Sequence, residues 1–410
     1  MKICILTIGT RGDVQPYIAL GAGLQAAGQS VTIATSEEFR SQVTQTGAQH
    51  ATLRGDFLQA AQAAGSPAQA GGRTNPLTLI QQYIEMARDT LVDEWASAQD
   101  AEVLIYNPAA IGGEHLAEKL GVPSFAAFPA PLYTPTQAFP SPFFPFANLG
   151  PFNHLSHQLF AKLGTSLYHQ PIRAWRRDVL GLLPTRRNSP ASGEKFATLY
   201  AYSPAVVPRP HDWNESVQVT GYWFLETSKT WQPDPALVEF LNAGPPPVYI
   251  GFGSMFMAGR SDRTALVMRA LELCGQRAIL ATGWGGLTST SALPGVYTLE
   301  SIPHGWLFPQ VAAVIHHGGA GTTGAAALAG KPQIICPFVG DQFFWGRRIA
   351  ALGASPQPIP QKRLTPERLA AAISLAVTDP RIHHVSTCLG EIIRSENGVG
   401  RAVKCILNNV

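Results

Sequence analysis

Residues 311–346 read VAAVIHHGGAGTTGAAALAGKPQIICPFVGDQFFWG. An apolar run ends in His316 and His317, and a turn containing Gly318, Gly319 and Gly321 follows. An Ala-rich, helix-like stretch then leads to a second apolar run that stops just before Asp341 and Gln342. Short apolar runs joined by a helix are the pattern of neighbouring parallel strands buried on both faces. The glycine turn sets free N–H groups and the positive end of a helix at a strand's carboxyl edge, a place for an anion such as phosphate. His317 stands directly before that turn, where an imidazole can donate to the same anion. No lysine follows, so an ATP-type phosphate loop is disfavoured, and the glycine spacing does not match a dinucleotide fingerprint cleanly. Asp341 and Gln342 lie at the same sheet edge, and a carboxylate beside an amide suits the vicinal hydroxyls of a polyol.

The same rhythm extends outward in both directions. KICILTIG, SVTIAT, AEVLIYN and PSFAAF read as buried strands in the first half, with helix-like stretches between them. PPVYIGFG, RAILATG and VYTLES read likewise in the second half. At 410 residues the chain exceeds one ordinary core. We therefore expect an N-terminal Rossmann-like domain over 1–215, a linker over 216–235, and a second Rossmann-like domain over 236–385. A closing helix over 386–410 either completes the second domain or crosses back to the first. Residues 57–76, rich in Ala, Gln and Gly, predict a mobile loop. Residues 129–152 combine prolines with aromatics and predict an irregular surface segment.

Composition excludes several classes of protein. Charged residues are only 14% and hydrophobic ones 45%, which fits a well-buried globular protein. A formal net charge of +3 gives no case for a nucleic-acid partner. The five cysteines are scattered without metal-site spacing and fit a reducing cytoplasm. The N-terminal apolar run is short and ends in Gly-Thr-Arg-Gly-Asp, which suits a first strand better than a signal peptide. No run approaches a membrane span of about 20 apolar residues. Arg173, Arg176, Arg177, Arg186 and Arg187, mixed with apolar residues, predict either a solvated helix face or weak peripheral contact with an anionic membrane.

The stretches GTRGDVQPYIALGAGL, HLAEKLGVP, TPTQAFPSP, VTGYWF, GFGSM, PHGWLFPQVAAVIHHGGAGTT and PFVGDQFFWG occur in the order seen in family 1 glycosyltransferases. The chain resembles the sterol glucosyltransferase branch and the bacterial antibiotic glycosyltransferases over nearly its whole length. The resemblance implies the GT-B fold, with two Rossmann-like α/β domains facing across a cleft. It implies that Ser254, His317, Gly319, Gly321 and Thr322 hold the donor diphosphate and that Asp341 and Gln342 bind the sugar. It places the nucleobase near Ser301, Ile302 and His304. Many relatives carry a tryptophan where Ser301 stands and an acid near Ala325, so the choice between uridine and thymidine nucleotides stays open. Trp284 and Trp306 are candidates for base stacking.

The reaction so implied needs the developing charge on the leaving diphosphate stabilised and an acceptor hydroxyl deprotonated. His317 and the glycine turn meet the first need. Asp13 is the candidate base, since the similar sterol and antibiotic enzymes place an aspartate there. Its alternative role is a helix cap, which would hold its pKa low and call for a partner such as His115. One displacement inverts the anomeric centre, and no metal or bound cofactor is expected. The donor is expected to be UDP-glucose, with a dTDP-sugar open. Phe139, Phe143 and Phe144 are expected to line the site of an apolar acceptor alcohol, with His115 nearby. The oligomeric state stays open. Competing readings are a sugar-nucleotide epimerase of the same fold, an NAD-dependent oxidoreductase, and a non-catalytic sugar-nucleotide or lipid binder.

Overall fold

The computed structural model describes residues 1–54, 76–166, 168–183, 196–227, 231–253, 260–283 and 294–410. The first half runs β1 (Lys2–Leu6), α1 (Arg11–Ala26), β2 (Ser30–Thr35), α2 (Arg40–Gln45), β3 (Gln49–Thr52) and α3 (Pro76–Ala98). It continues through β4 (Val103–Tyr106), α4 (Gly113–Leu120), β5 (Ser124–Phe128), α5 (Asn153–Ser166), α6 (His169–Asp178), β6 (Phe196–Tyr200) and β7 (Val217–Val219). The second half begins with α7 (Pro235–Asn242), β8 (Val248–Gly251), α8 (Arg260–Cys274), β9 (Ala278–Ala281) and β10 (Val296–Leu299). Then come α9 (His304–Leu307), β11 (Val314–His316), α10 (Ala320–Leu328), β12 (Gln333–Ile335) and α11 (Gln342–Leu352). The chain ends with α12 (Pro366–Thr378), α13 (Pro380–Ser395) and α14 (Gly398–Leu407).

All strands pair in parallel, in two sheets. The seven-stranded sheet has the order β3-β2-β1-β4-β5-β6-β7, and the five-stranded sheet β10-β9-β8-β11-β12. The strands β4, β5, β8 and β9 are buried at every position, as uninterrupted apolar runs require when helices cover both faces. In each sheet the order reverses once, between β1 and β4 and between β8 and β11. Loops diverge at such a point and leave a crevice at the carboxyl edge. The first turn of α1, which follows β1, carries Asp13, and the loop after β11 carries His317.

Two expectations are corrected. The expected linker over 216–235 opens with β7, which adds a strand to the first sheet by pairing Val217 with Thr198. Three residues among prolines are too short to show a strand period. The expected closing helix is two helices, because Asn397 adopts a left-handed φ of 44° and caps α14 through its side chain. The irregular segment 129–152 has only a short 3-10 turn at its end, at Gly150–Phe152. Residues 57–75 of the expected mobile loop lie outside the described residues; Pro76 opens α3.

The helix α14 lies on the first domain. Ala402 and Ile406 bury beside Val14, Ile18 and Leu24 of α1, and a side chain at Gly23 would run into Val399. No helix among the described residues is long and apolar enough to cross a membrane.

One buried charge shapes the first domain's stability. Glu94 of α3 is fully buried; its Oε2 accepts from the Gly112 N–H at 2.8 Å, and its Oε1 has no partner among the described residues. Burial pushes its pKa up to about 8. The folded state therefore holds a proton that the unfolded state releases near pH 4.5, so stability declines as pH rises from about 4.5 to about 8. A shift of that size corresponds to roughly 5 kcal/mol. In thermal unfolding followed by circular dichroism, Glu94→Gln should lose most of this decline, and an unchanged pH slope would refute the assignment.

Candidate active site

The site starts at the turn into α1. Thr10 precedes the helix and Asp13 is its third residue. Asp13 Oδ2 accepts from the Thr10 N–H and the Thr10 hydroxyl, each at 2.9 Å. This is a capping box closed by aspartate, so Asp13 does take part in capping the helix. Both bonds fall on Oδ2 and leave Oδ1 outside the box. Gly9 permits the turn with φ of +137°, and a side chain there would meet Asp13 Oδ2 at 2.6 Å. The low pKa expected of a capping aspartate does not result. Burial raises the Asp13 pKa and outweighs the two Thr10 bonds that lower it. Tyr17 and Tyr133 lie close enough to feel the Asp13 charge, and so does Asp341 from the other domain.

Across the cleft, β11 ends in His316 and His317 follows it, and the two histidines have separate environments. His316 is fully buried; its Nδ1 accepts from the Gly318 N–H at 3.0 Å, and Nε2 meets Gln333 Oε1 at 2.9 Å. Those two bonds assign the proton to Nε2 and make His316 part of the sheet's edge. His317 points elsewhere. Its ring lies between two glycines: a methyl at Gly319 would come within 2.5 Å of Nε2, and one at Gly253 within 2.9 Å of Cε1. Its Nδ1 is buried with no partner among the described residues. Burial lowers the His317 pKa to about 4, so at neutral pH it is a neutral donor and not a fixed cation.

Gly319 caps α10, whose first N–H groups have no intrahelical acceptor. Thr322 lies in that first turn, and the Thr323 N–H already bonds Gly319 O at 2.9 Å. The two domains approach here: a methyl at Gly321 would be 3.8 Å from the Gly12 Cα. The starts of α1 and α10 therefore converge, and both present positive helix ends to one space.

Asp341 and Gln342 follow β12 at the same edge. Asp341 Oδ2 accepts from the Trp345 indole at 2.9 Å. Burial, helped by the Asp13 charge, pushes its pKa up to about 6. Gln342 is buried, and its Oε1 accepts from the N–H groups of Phe338 and Val339 at 2.7 and 3.2 Å. That orientation fixes Oε1 on the backbone and leaves the amide NH₂ as the end that can donate elsewhere.

Ser301 and Ile302 line a cavity of about 240 Å³ with Trp231, Gln232, Asp234, Leu237, Tyr297 and Leu299. Trp231 packs on Trp306 with ring centroids 5.2 Å apart. His304 stacks on Phe308 at 4.3 Å, and Arg11 is near enough to His304 and Tyr249 to shift their pKa values. Ser254 and Trp284 lie outside the described residues. Trp231 and Tyr133 were not singled out from sequence. No local pattern marks them, since each gains its position from packing.

The aromatic loop is built onto both domains. Phe139 contacts Phe344 of α11, with centroids 5.3 Å apart, and Phe143 contacts Phe144 and Phe160. Arg347 of α11 donates to the carbonyls of Pro145 and Phe146 at 3.0 and 2.8 Å. His115 is not brought to Asp13. Its Nδ1 accepts from Arg176 at 2.9 Å, its charge neighbours are Arg176 and Glu118, and its pKa falls to about 4. The expected array of solvated or membrane-facing arginines also changes. Arg176 is buried and doubly bonded to Glu118 at 2.7 and 3.1 Å, whereas Arg173 and Arg177 are exposed. Arg186 and Arg187 lie outside the described residues.

Two facing Rossmann-like domains with an aspartate opposite a histidine and a helix start define the GT-B glycosyltransferase class. Residues 3–140 match the glycosyltransferase family 28 N-terminal domain, and residues 267–398 the erythromycin biosynthesis protein CIII-like C-terminal domain. A sterol 3-beta-glucosyltransferase of Arabidopsis thaliana is 36% identical over 98% of this chain and 67% of its own length. One from Cryptococcus neoformans var. neoformans is 37% identical over the whole of this chain but only 27% of its own length. The chain thus spans about a quarter to a third of the fungal relatives it matches. The glycosyltransferase of kitacinnamycin superposes with a TM-score of 0.73 at 19% identity, covering 100% of this chain and 99% of that one. A Streptomyces sp. SF2575 glycosyltransferase complexed with thymidine diphosphate superposes with a TM-score of 0.63 at 18% identity, over 100% and 99%. The chain belongs to the glycosyltransferase family that contains the sterol 3-beta-glucosyltransferases.

Proposed function

We propose that the protein is an inverting, metal-independent glycosyltransferase. It moves a hexose, with glucose favoured, from a nucleotide diphosphate sugar to a hydroxyl of an apolar acceptor such as a sterol or polycyclic natural product. The convergence of Asp13 with the α10 turn and Asp341 carries this reading. In it, His317 and the N–H groups of Gly319, Gly321 and Thr322 receive the diphosphate, with Ser254 beside them. Asp341 and Gln342 hold the sugar hydroxyls, and the base lies near Ser301, Ile302 and His304. UDP is the favoured nucleotide, with dTDP as the alternative, because no acid at Ala325 and no aromatic at Ser301 distinguishes them. Asp13 removes the acceptor proton as the hydroxyl oxygen attacks the anomeric carbon and the diphosphate leaves. The donor's charge meets the helix end and a neutral imidazole, so no cation is needed in this scheme. The acceptor lies against Tyr133 and the loop bearing Phe139, Phe143 and Phe144. Five free cysteines support work in a reducing cytoplasm.

The deciding experiment offers UDP-glucose and dTDP-glucose with a panel of sterols, flavonoids and macrolactones, read by mass spectrometry. A glucoside of an apolar alcohol is the expected product. Free sugar-nucleotide epimer, or no product with any pair, would defeat the reading. A second expectation concerns Asp341→Asn. It should raise KM for the nucleotide sugar by roughly tenfold or more while affinity for the bare nucleotide holds, since only a sugar hydroxyl contact is lost. Equal losses for both in titration calorimetry would remove Asp341 from the sugar site.

A further inference from the structure

The helix α11 begins at the sugar site of the second domain and packs against the first. Asp341 stands at its start, and Gln342 is its first residue. The turns that follow face the other half of the protein. Phe344 is buried against Phe139 of the aromatic loop, and the buried Trp345 meets Tyr202, after β6, edge to face with centroids 6.0 Å apart. Arg348 donates from Nε and Nη2 to the Val206 carbonyl at 3.1 and 2.8 Å. Arg347 donates from Nη1 to the Pro145 carbonyl and from Nη2 to the Phe146 carbonyl.

The loop that receives Arg347 is tied to its own domain on either side of that contact. Before it, the Ser141 N–H donates to the Ser156 hydroxyl at 2.8 Å; after it, the Leu149 N–H donates to Asn153 Oδ1 at 2.8 Å. Between these ties Pro145, Phe146 and Ala147 are exposed, and Phe143 and Phe144 belong to the same stretch. A planar guanidinium on two successive carbonyls sets both the position and the tilt of the segment that bears them. The contact is also one that can open. Its acceptors are neutral carbonyls, and burial lowers the Arg347 pKa, so the cation regains hydration when it leaves them.

We propose that Arg347 is a positioning residue that sets the acceptor loop, and that α11 thereby couples an occupied sugar site to an ordered acceptor site. A sugar on Asp341 and Gln342 would fix the start of α11. Asp341 is bonded to Trp345 within the helix, so the restraint extends to the turn that carries Arg347. A loop held at Pro145 and Phe146 presents Phe143 and Phe144 in one arrangement, and less ordering remains for an incoming acceptor to bring about. A bare nucleotide lacks the sugar hydroxyls and should couple weakly. The inference rests on the proposed function for the identity of the two ligands.

The test is hydrogen exchange of the full chain, read by mass spectrometry at residues 143–149, with UDP-glucose, dTDP-glucose, UDP and dTDP as probes. In the wild type a sugar nucleotide should slow exchange there by roughly fivefold or more, and the matching bare nucleotide should do less. Arg347→Met should speed exchange in the free chain and remove the slowing, while calorimetry finds the sugar nucleotide still bound within a few-fold of wild-type affinity. Unchanged exchange in β1 and β4 shows that the variant is folded. Arg347→Lys, with a single ammonium for two carbonyls, should restore part of the effect. In transfer assays Arg347→Met should raise the acceptor KM by roughly fivefold or more. Loop exchange that Arg347→Met leaves unchanged, a wild-type loop blind to a bound sugar nucleotide, or an acceptor KM that does not move would each overturn the inference. Failure of the proposed function looks different: no donor is turned over, while Arg347→Met still speeds exchange in the free chain, which upholds the positioning role.

Discussion

Asp13→Asn is expected to lower kcat by about 10²- to 10⁴-fold, the range for loss of a general base. Nucleotide affinity should hold, because the proposed scheme sets the Asp13 carboxylate against the acceptor and asparagine can still accept from Thr10. A base acts when deprotonated, so activity should fall as pH drops through its pKa. Burial raises that pKa, which places the acidic limb of the kcat/KM profile above the ordinary aspartate range. The negative charge of an incoming diphosphate would push it the same way. In the variant this limb should vanish from what activity remains. Full activity in single-turnover assays, or loss of nucleotide binding equal to the loss of turnover, would reject Asp13 as the base. The result would also separate an enzyme from a mere binder, since a binder has no turnover to lose.

The second large effect is expected at His317. His317→Ala should reduce kcat by roughly 10²- to 10³-fold, as removal of a positioned donor at a developing oxyanion does. The side chain is clamped between Gly253 and Gly319, so little reorganisation would precede the proposed contact with the diphosphate. Its low pKa makes the contribution a neutral hydrogen bond in the free protein. His317→Gln should therefore recover part of the lost rate through its amide N–H, more than His317→Ala allows. If glutamine gave no recovery and the rate of the wild type followed protonation near neutrality, a charged imidazole would be acting instead. Both variants replace a partly buried ring, so thermal unfolding should accompany the kinetics.

Much of this site was legible from local pattern. Uninterrupted apolar runs mark strands that two helix layers cover, and glycines at their ends mark the turns that receive a ligand. Asp13, His317, Asp341 and Gln342 all fall within a few residues of such run ends. What escaped the sequence depends on distant packing. The Asp13 pKa reverses direction because the surrounding structure buries a carboxylate that a helix start alone would leave acidic. The partner of His115 is Arg176, 61 residues away, which no spacing predicts. Tyr133 and Trp231 reach their places through loops whose course is set by aromatic contacts. Strand β7 hides because three residues cannot express a period, and the break at Asn397 hides inside an otherwise helical pattern.

The return of α14 to the first domain has a mechanical consequence. The chain crosses between the domains once after β7 and again after α13. The crossings touch, for a methyl at Gly221 would lie 3.1 Å from the Gly398 Cα, and Ser203 donates to Glu396 at 2.6 Å beside them. Paired crossings favour rotation about that place over sliding, although the halves also meet where Arg347 donates to the carbonyls of Pro145 and Phe146. Rotation about that place would part the halves where Gly12 meets Gly321. A pivot of this kind would open the mouth to a donor and acceptor and bring carboxylate and imidazole together again on closing.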